Sequence, residues 1–347
     1  MESALTMTAG RPARISFSAR DSASADLPLA LGPAISTARA SPILPASSSM
    51  HHVLTLIAAK AKTPLSPKIV SALASALAAG GVSPGPADWL AKGEACDIPF
   101  AGERAAAAEL ARGVIGDRAI DIGIVATGGR RKKLLIADMD STMIGQECID
   151  ELAAEIGLGE TVAAITQRAM RGEIAFKPAL RERVALLKGL PVTSVEKVLA
   201  QRITLTPGGR TLVRTMAANG AYASLVSGGF TAFAGPIAGR LGFDEFRANA
   251  LNHENGLFTG TVAEPILDRD AKLARLRALI AERGLDRRQV LAVGDGANDL
   301  AMIRLAGLGV AFHAKPALEA ESNVAIRHGD LTALLYLQGY RQDDFVR

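Results

Sequence analysis

The spacing of apolar and polar positions divides the larger, C-terminal part of the chain into a sheet-forming core and a helical segment. From residue 134 onwards, short apolar runs bounded by Gly and Asp alternate with amphipathic helical patterns, as expected for a parallel sheet with helices on both faces. Between 146 and 204 the strand patterns stop, and consecutive helical patterns take their place. We therefore predict an α/β fold whose core comprises residues 128–145 and 205–347, with a helical-bundle cap at 146–204 inserted after the first strand.

The first 127 residues show two other patterns. Residues 1–49 are rich in Ala, Ser and Pro and lack helical or strand periodicity, so we predict a disordered extension that is dispensable for folding. Residues 51–127 predict strand, helix, a turn-rich stretch with Trp89 and ACDIPF, helix and strand, which indicates a small α+β domain without catalytic constellations. The predicted strands are 53–58 and 119–125, and the predicted helices are 67–79 and 102–112.

Composition limits the class of protein. The chain has 347 residues, of which 49% are hydrophobic and 21% charged, enough for a large core and more than one domain. No uninterrupted apolar run reaches the roughly 18 residues of a membrane span, so we expect no membrane association. Two cysteines, Cys96 and Cys148, provide neither a disulfide framework nor a repeated metal-ligand spacing, which predicts a cytoplasmic protein.

The charge balance indicates no particular partner. Lys and Arg together number 39 and Asp and Glu 35, and the most basic cluster is the run RRKK at residues 130–133. Because no aromatic or Gly-rich residues are interleaved with this run, we interpret it as a solvated linker and expect no nucleic-acid partner.

Two aspartates follow the first apolar run of the predicted core. Residues 134–137 are short enough for a strand buried on both faces, and alternation directs Asp138 and Asp140 to the same side. In an open parallel sheet, ligands bind outside the carboxyl ends of strands, where this pair lies. The sequence DMDST is also typical of a turn or a helix N-cap, so other segments must decide.

A second apolar run, 289–293, ends in GDGAND, which contains Asp295 and Asp299. Acids at two neighbouring strand ends repel one another unless a cation lies between them, and oxygen ligands favour Mg²⁺ over zinc or copper. The alternative is an ordinary Gly-rich turn.

The remaining candidates concern anion binding. The run YASLVSGGF ends at Ser227, followed by Gly228, before a helical pattern that begins at Thr231, and such a helix start with a hydroxyl beside it is a potential anion site. Lys272 begins the helical pattern AKLARLRALI, and its alternative role is a surface ion pair with Asp268.

In this order, DMDST, SGG, Lys272 and GDGAND resemble the four motifs of the haloacid dehalogenase superfamily, specifically its phosphatases. The resemblance implies a Rossmannoid parallel sheet and covalent catalysis, with Asp138 as nucleophile and Asp140 as proton donor. It also implies Mg²⁺ bound by Asp138, Asp295 and the Asp140 carbonyl. The phosphate would be held by Lys272 and by the second motif, and the fourth motif would orient these ligands; the residues involved are Ser227, Gly228, Asn298 and Asp299.

Inside the cap, GQECIDELA and ITQRAMRGEIAFKPALRERVALLKGLP resemble the phosphoserine phosphatase family, and the similarity covers about residues 134–328. It implies hydrolysis of O-phospho-L-serine, the last step of serine biosynthesis. By this resemblance Glu147 binds the substrate ammonium, Arg183 its carboxylate, and Met170 and Phe176 form the apolar wall. The alternatives are a helix-dipole acid at Glu147 and a solvated Arg183.

Other functions remain open at this point. A related capped phosphatase or phosphotransferase would act on another small phosphomonoester. Residues 51–127 resemble the ACT-like domain of bacterial long-form relatives, which leaves open a homodimer formed through this domain. They also leave open a regulatory amino-acid-binding protein with an inactive core.

Overall fold

A computed structural model describes residues 50–59, 63–170 and 173–347. The predicted extension at 1–49 lies outside the described residues, as does the side chain of Met170. The described residues belong to one compact unit of the chain. Within them, no helix has the length and apolar character needed to cross a lipid bilayer.

The N-terminal part is a four-stranded antiparallel sheet with one added short strand and two helices. The sheet order is β2-β4-β1-β5, with β3 beside β4, which is the order of a ferredoxin-like βαββαβ fold. The observed α+β character agrees with the predicted order of elements. The elements are β1 His52–Ala58, α1 Pro67–Ala79, β2 Ser83–Pro84, β3 Asp88–Ala91, β4 Ala95–Ala101, α2 Arg104–Ile115 and β5 Ile120–Ala126.

The prediction of a turn-rich stretch at ACDIPF is wrong, because these residues form the interior strand β4. Pro99 is unusual in an interior strand, since proline lacks the N–H that a central strand normally uses. In the structure Pro99 lies opposite Val53, and its carbonyl accepts a hydrogen bond from the Gly85 N–H at 2.7 Å. The strand therefore uses the Pro99 carbonyl as an acceptor and tolerates the N–H that proline lacks.

The core begins with β6, and the cap follows it directly. Residues of β6 are completely buried, as the short apolar run predicted. Four helices then form the cap without any named strand between them, which confirms the predicted insertion. The elements are β6 Leu134–Ala137, α3 Cys148–Ala154, α4 Gly159–Met170, α5 Phe176–Ala185 and α6 Ser194–Gln201.

After the cap, the chain completes a six-stranded parallel sheet in the order β13-β12-β11-β6-β7-β8. β6 lies between β7 and β11, so the carboxyl ends of these three strands meet at one edge, where ligands bind in such sheets. The elements are α7 Gly209–Ala218, β7 Tyr222–Phe230, α8 Thr231–Leu241, β8 Glu245–Asn249, β9 Leu251–Glu254, β10 Leu257–Val262, α9 Arg269–Glu282, β11 Val290–Gly294, α10 Leu300–Leu305, β12 Leu308–Phe312, α11 Pro316–Glu319, β13 Val324–Ile326 and α12 Ala333–Leu337.

The hairpin β9–β10 was not predicted from the sequence. Its turn contains Asn255 and Gly256 at φ values of 50° and 77°, the left-handed conformation that an Asn-Gly hairpin turn requires. The hairpin extends the contact between core and cap, because Phe258 accepts a hydrogen bond from the Gly189 N–H and donates one to the Leu190 carbonyl. The Asn-Gly dipeptide was the signal that could have revealed it.

The interpretation of residues 130–133 as a solvated linker is wrong for Arg130. Its guanidinium donates to both carboxylate oxygens of Asp97 in β4, at 2.6 and 3.2 Å, and to the carbonyls of Tyr336 and Leu337 in α12. The hydroxyl of Thr55 also donates to Asp97, at 2.7 Å. This network joins the N-terminal sheet to the core, because the linker crosses an interface in which backbone carbonyls and a buried acid need a donor.

Candidate active site

Asp138 lies at the point where the chain leaves β6. Its N–H donates to the Val293 carbonyl at 3.1 Å, which fixes it beside the end of β11. One carboxylate oxygen accepts from the Met139 N–H at 2.8 Å, and the side chain is almost fully buried. Ser141 then adopts a left-handed conformation, φ 54°, so the chain turns sharply without beginning a helix. The aspartate is therefore held rigidly at the sheet edge.

Three carboxylates meet at this edge. Oxygens of Asp138, Asp295 and Asp299 lie within 4.8 Å of one another, a spacing that could hold a metal ion. Burial and the charge of Asp138 raise the pKa of Asp295 to about 6 and that of Asp299 to about 7. The clustered acids therefore repel one another, as expected for a group that lacks enough positive charge.

Lys272 supplies part of that charge. Its ammonium lies 2.6 Å from Asp138 and 2.8 Å from Asp299, and the side chain is 1% exposed. Burial lowers the pKa of Lys272, but the two carboxylates raise it by more than burial lowers it, so the lysine stays charged. The alternative surface pair with Asp268 is wrong, because Asp268 instead caps the start of α9 by accepting from the N–H groups of Asp270 and Ala271.

Asp140 points towards the same edge in a different electrostatic environment. Its carboxylate accepts from the Cys148 N–H at 3.3 Å, at the first residue of α3. Burial, followed by the charges of Glu147 and Asp138, raises the pKa of Asp140 to about 8. Without a bound cation, the carboxyl group is therefore largely protonated at neutral pH, which is the state needed by a proton donor.

The carboxyl end of β7 forms the neighbouring wall. The strand was predicted to end at Ser227 but continues through Gly228 and Gly229 to Phe230, and α8 starts immediately afterwards at Thr231. Ser227 is buried, and its hydroxyl oxygen accepts from the Gly229 N–H at 2.9 Å. A Cβ atom on Gly229 would lie 2.6 Å from an oxygen of Asp140, so only glycine fits this close approach.

The fourth motif, GDGAND, contributes the side-chain amide of Asn298 and the buried carboxylate of Asp299. The side-chain amide of Asn298 donates to Asp138 at 3.1 Å. Asp299 accepts from the Gly296 N–H through one oxygen and from Lys272 through the other. Asp299 is fully buried and does not line the cleft, whereas Asp138 and Asp295 do, so it is better placed to orient Lys272 and the Gly-rich turn than to ligate an ion.

The cap supplies the opposite wall. Arg183 on α5 donates to the Ala179 carbonyl at 3.3 Å and to the Thr166 hydroxyl at 3.2 Å. Burial lowers the pKa of Arg183, while the charges of Asp150 and Glu147 act in the opposite direction. The predicted alternative of a solvated surface arginine does not describe this half-buried side chain.

Two further cap residues lie near Arg183. Glu147 accepts from the Ser141 hydroxyl at 2.8 Å, and desolvation by the cleft wall raises its pKa. Phe176, at the start of α5, lies over Gly228 at the end of β7, since a Cβ on Gly228 would be 3.4 Å from its ring. A positive, a negative and an aromatic group thus face the sheet edge.

Core and cap enclose a cleft of about 290 Å³, a size suited to a small ligand. Nine of the predicted residues line it, whereas Lys272 and Asp299 lie behind Asp138. Sequence reasoning missed Thr166 and Lys315, although Lys315 follows the carboxyl end of β12 and the strand-end argument applies to it too. The predicted lining residues are Asp138, Asp140, Glu147, Phe176, Arg183, Ser227, Gly228, Asp295 and Asn298.

Comparison with known proteins agrees with this geometry. Residues 135–304 match the family model of haloacid dehalogenase-like hydrolases. A phosphoserine phosphatase of Albidiferax ferrireducens is 47% identical over 210 residues, which cover 59% of this chain and 89% of that protein. Several longer curated phosphoserine phosphatases are matched over only 55–60% of their length.

Solved structures give the same result. A probable phosphoserine phosphatase from Vibrio cholerae, in unliganded form, has a TM-score of 0.69 and 28% identity, covering 86% of this chain and 88% of that one. A phospho-aspartyl intermediate analogue of phosphoserine phosphatase has a TM-score of 0.56 and 40% identity, covering 59% of this chain and 98% of that one. The chain therefore belongs to the phosphoserine phosphatase family of the haloacid dehalogenase-like hydrolases.

Proposed function

We propose that the protein hydrolyses O-phospho-L-serine to L-serine and phosphate through an aspartyl-phosphate intermediate. The observation that carries this proposal is the arrangement across one cleft: Asp138, buried beside Lys272, on the sheet edge, with Arg183 and Glu147 on the cap. A phosphomonoester that also carries an ammonium and a carboxylate complements both walls.

The donor set at the sheet edge fits Mg²⁺. Its members are hard carboxylate oxygens, and burial followed by the charge of Asp138 raises the pKa of Asp295, so a cation there would favour the ionised form. Asp138, Asp295 and the Asp140 carbonyl would hold the ion, while Asp299, which does not line the cleft, would support Lys272 and the Gly296 N–H. When bound, the ion would neutralise the nucleophile and the phosphoryl oxygens.

In the first half-reaction, an oxygen of Asp138 attacks phosphorus and the bond from phosphorus to the serine oxygen breaks. Asp140 donates its proton to the departing serine oxygen, a role for which its buried position beside Asp138 and Glu147 suits it. Lys272 contacts one oxygen of the attacking carboxylate from the buried side, and Asp138 itself lines the cleft. One difficult displacement is thereby divided into two easier ones.

In the second half-reaction, water attacks phosphorus and the bond between phosphorus and the Asp138 oxygen breaks. Phosphate is released, and Asp138 is again a carboxylate. Asp140, now ionised, takes a proton from that water. The Ser227 hydroxyl and the Gly228 N–H are assigned to the phosphoryl oxygens, and Lys272 remains beside the acyl oxygen, so the charge that develops meets fixed donors.

The cap determines which phosphomonoester enters. Arg183 is held by Thr166 through one terminal nitrogen, and its guanidinium retains further donors for a carboxylate. Glu147 is placed to accept from the ammonium, and Phe176 covers the phosphate side of the cleft. The apolar role predicted for Met170 remains part of the proposal.

Phosphate release from O-phospho-L-serine, with and without Mg²⁺, tests the proposal directly. Glycerol phosphate and p-nitrophenyl phosphate serve as substrates that lack the amino-acid groups. We expect kcat/KM for phosphoserine to exceed that for both controls by at least 100-fold. Equal rates on all three would favour a generic phosphomonoesterase, and serine binding without any phosphate release would favour a regulatory protein.

A further inference from the structure

A buried asparagine outside the predicted motifs contacts two parts of the proposed phosphate site. Asn249 ends the edge strand β8 and is 3% exposed. Its side-chain amide donates to the Gly228 carbonyl at 2.9 Å and to the Leu267 carbonyl at 3.1 Å. Its oxygen accepts from the Leu267 N–H at 2.7 Å. Both amide donors and one lone pair of the oxygen therefore serve backbone atoms of two segments.

The first of these contacts lies in an irregular part of the β7–β8 pairing. Along β7 and β8, Val226 pairs with Arg247 and Phe230 with Asn249, so three residues of β7 lie opposite a single residue of β8. Such a bulge removes backbone groups from the regular ladder. Within this bulge, the Asn249 amide donates to the Gly228 carbonyl.

Fixing this carbonyl also fixes the next N–H. A trans peptide is planar, so the Gly228 carbonyl and the Gly229 N–H point in opposite directions. The Gly229 N–H donates to the Ser227 hydroxyl oxygen at 2.9 Å. Since that oxygen already accepts a hydrogen bond, the Ser227 hydroxyl is free to donate its hydrogen into the cleft, where the phosphate would bind.

The second contact reaches the helix of the buried lysine. Leu267 directly precedes Asp268, which caps α9 by accepting from two N–H groups, and Lys272 lies one turn further on. Asn249 thus connects the turn that carries Ser227 to the start of the helix that carries Lys272.

We propose that Asn249 is a positioning residue for phosphoryl transfer. It fixes the Gly228–Gly229 peptide and thereby orients the Ser227 hydroxyl, and it joins this peptide to the segment that precedes the helix of Lys272. This inference rests on the proposed function. Asn249 itself does not line the cleft, so its effect reaches the substrate through Ser227.

A double-mutant cycle separates this role from a purely structural one. Ser227→Ala should lower kcat for phosphoserine by roughly 100-fold, the loss expected for one preorganised donor. Asn249→Ala should lower kcat about tenfold with little change in KM, and the double variant should be no slower than Ser227→Ala, because residues acting through one group are not additive. Asn249→Asp keeps the acceptor for Leu267 and loses the donated bonds, so it should show the same loss if the alanine variant folds poorly.

Gln338 provides the matched control. It is a buried amide, 1% exposed, that donates to the Leu334 carbonyl and accepts from the Lys132 N–H far from the cleft. Gln338→Ala should lower the melting temperature and leave kcat unchanged, and its effect should add to that of Ser227→Ala. If wild type hydrolyses phosphoserine but the folded Asn249 variants keep kcat within twofold, or combine additively with Ser227→Ala, the inference is wrong. A wild type without this activity would instead overturn the proposed function.

Discussion

The ammonium of Lys272 lies 2.6 Å from the carboxylate of Asp138, and both side chains are almost inaccessible to solvent. Lys272 also lies 2.8 Å from Asp299, so one cation serves two acids while a third acid, Asp295, lies close by. Burial and the charge of Asp138 raise the pKa of both Asp295 and Asp299, and several measurable consequences depend on this crowding of acids.

Asp138→Asn should abolish turnover, because an amide oxygen neither attacks phosphorus nor carries the charge that binds a cation. The fold should survive, since Lys272 keeps its contact with Asp299 and repulsion among the acids is reduced. We expect kcat below 1% of wild type, roughly a 100-fold loss or more, with a metal-free melting temperature equal to or above that of wild type. Phosphate release and calorimetry measure the two quantities.

The control for that variant is Asp244→Asn, which changes an acid that accepts from the Ala223 N–H away from the cleft. It should retain turnover. If Asp138→Asn kept more than a few per cent of activity, with conversion of the amide back to aspartate excluded by mass spectrometry, the covalent mechanism would be incorrect.

Chelation with EDTA should remove activity, and added Mg²⁺ should restore it. The larger Ca²⁺ should bind without supporting turnover, because its longer and more flexible coordination places the phosphoryl group differently. Mg²⁺ should also raise the melting temperature of wild type at neutral pH by relieving repulsion around Asp295, and the increase should be much smaller in Asp295→Asn. Full activity after exhaustive chelation would contradict the assignment of the ion.

Arg183→Ala tests the substrate rather than the chemistry. Removing one partner of a partly buried, charge-assisted contact should cost roughly 2 to 4 kcal/mol in kcat/KM for phosphoserine. Hydrolysis of p-nitrophenyl phosphate, which has no carboxylate, should change only several-fold. Arg181→Ala on the same helix is the control, since Arg181 pairs with Glu264 at the exposed surface.

An equal loss on both substrates would mean that Arg183 supports the cap or the phosphate. No loss on either would remove the main support for phosphoserine as the substrate.

Arg130→Met should destabilise the protein by about 3 kcal/mol, because it leaves Asp97 buried without its cationic partner. Lys133→Met, in the same basic run but exposed, should change stability by less than about 0.5 kcal/mol. Urea unfolding followed by circular dichroism measures both. Replacing Asp97 with Leu in the Arg130→Met background should recover part of the loss, and an Arg130 variant as stable as the Lys133 control would show that the network contributes nothing.

The strand-end argument located much of the site because it depends on topology alone. Asp138, Ser227 and Asp295 each follow an apolar run, and parallel strands bring such positions to one edge. The burial of Lys272 could in part be predicted from the sequence, since Lys272 shares one helical face with Leu276 and Leu279, which are buried with it. Helical spacing alone also allows a surface pair between Lys272 and Asp268, because that spacing contains no information about the sheet edge beside the helix.

Other features could not be predicted in this way. Asn249 ends an edge strand, EFRAN, that has no apolar run to mark it, and its proposed role depends on a bulge in a different strand. Arg130 lies in a run whose charges resemble a solvated linker, and only the interface between two sheets distinguishes it from Arg131 and Lys133. Both cases depend on contacts between segments far apart in sequence, which local patterns do not encode.

The β9–β10 hairpin changes how the cleft can open. Backbone hydrogen bonds join Phe258 in the hairpin to Gly189 and Leu190 in the cap, while the hairpin itself is attached to the core after β8 and before α9. A swinging cap must therefore carry the hairpin with it and bend the chain at four crossings instead of two. Two of those crossings lie beside Asn249 and Leu267, so under the proposed function the release of serine would bend the same backbone segments that are proposed to hold the phosphate donors in place.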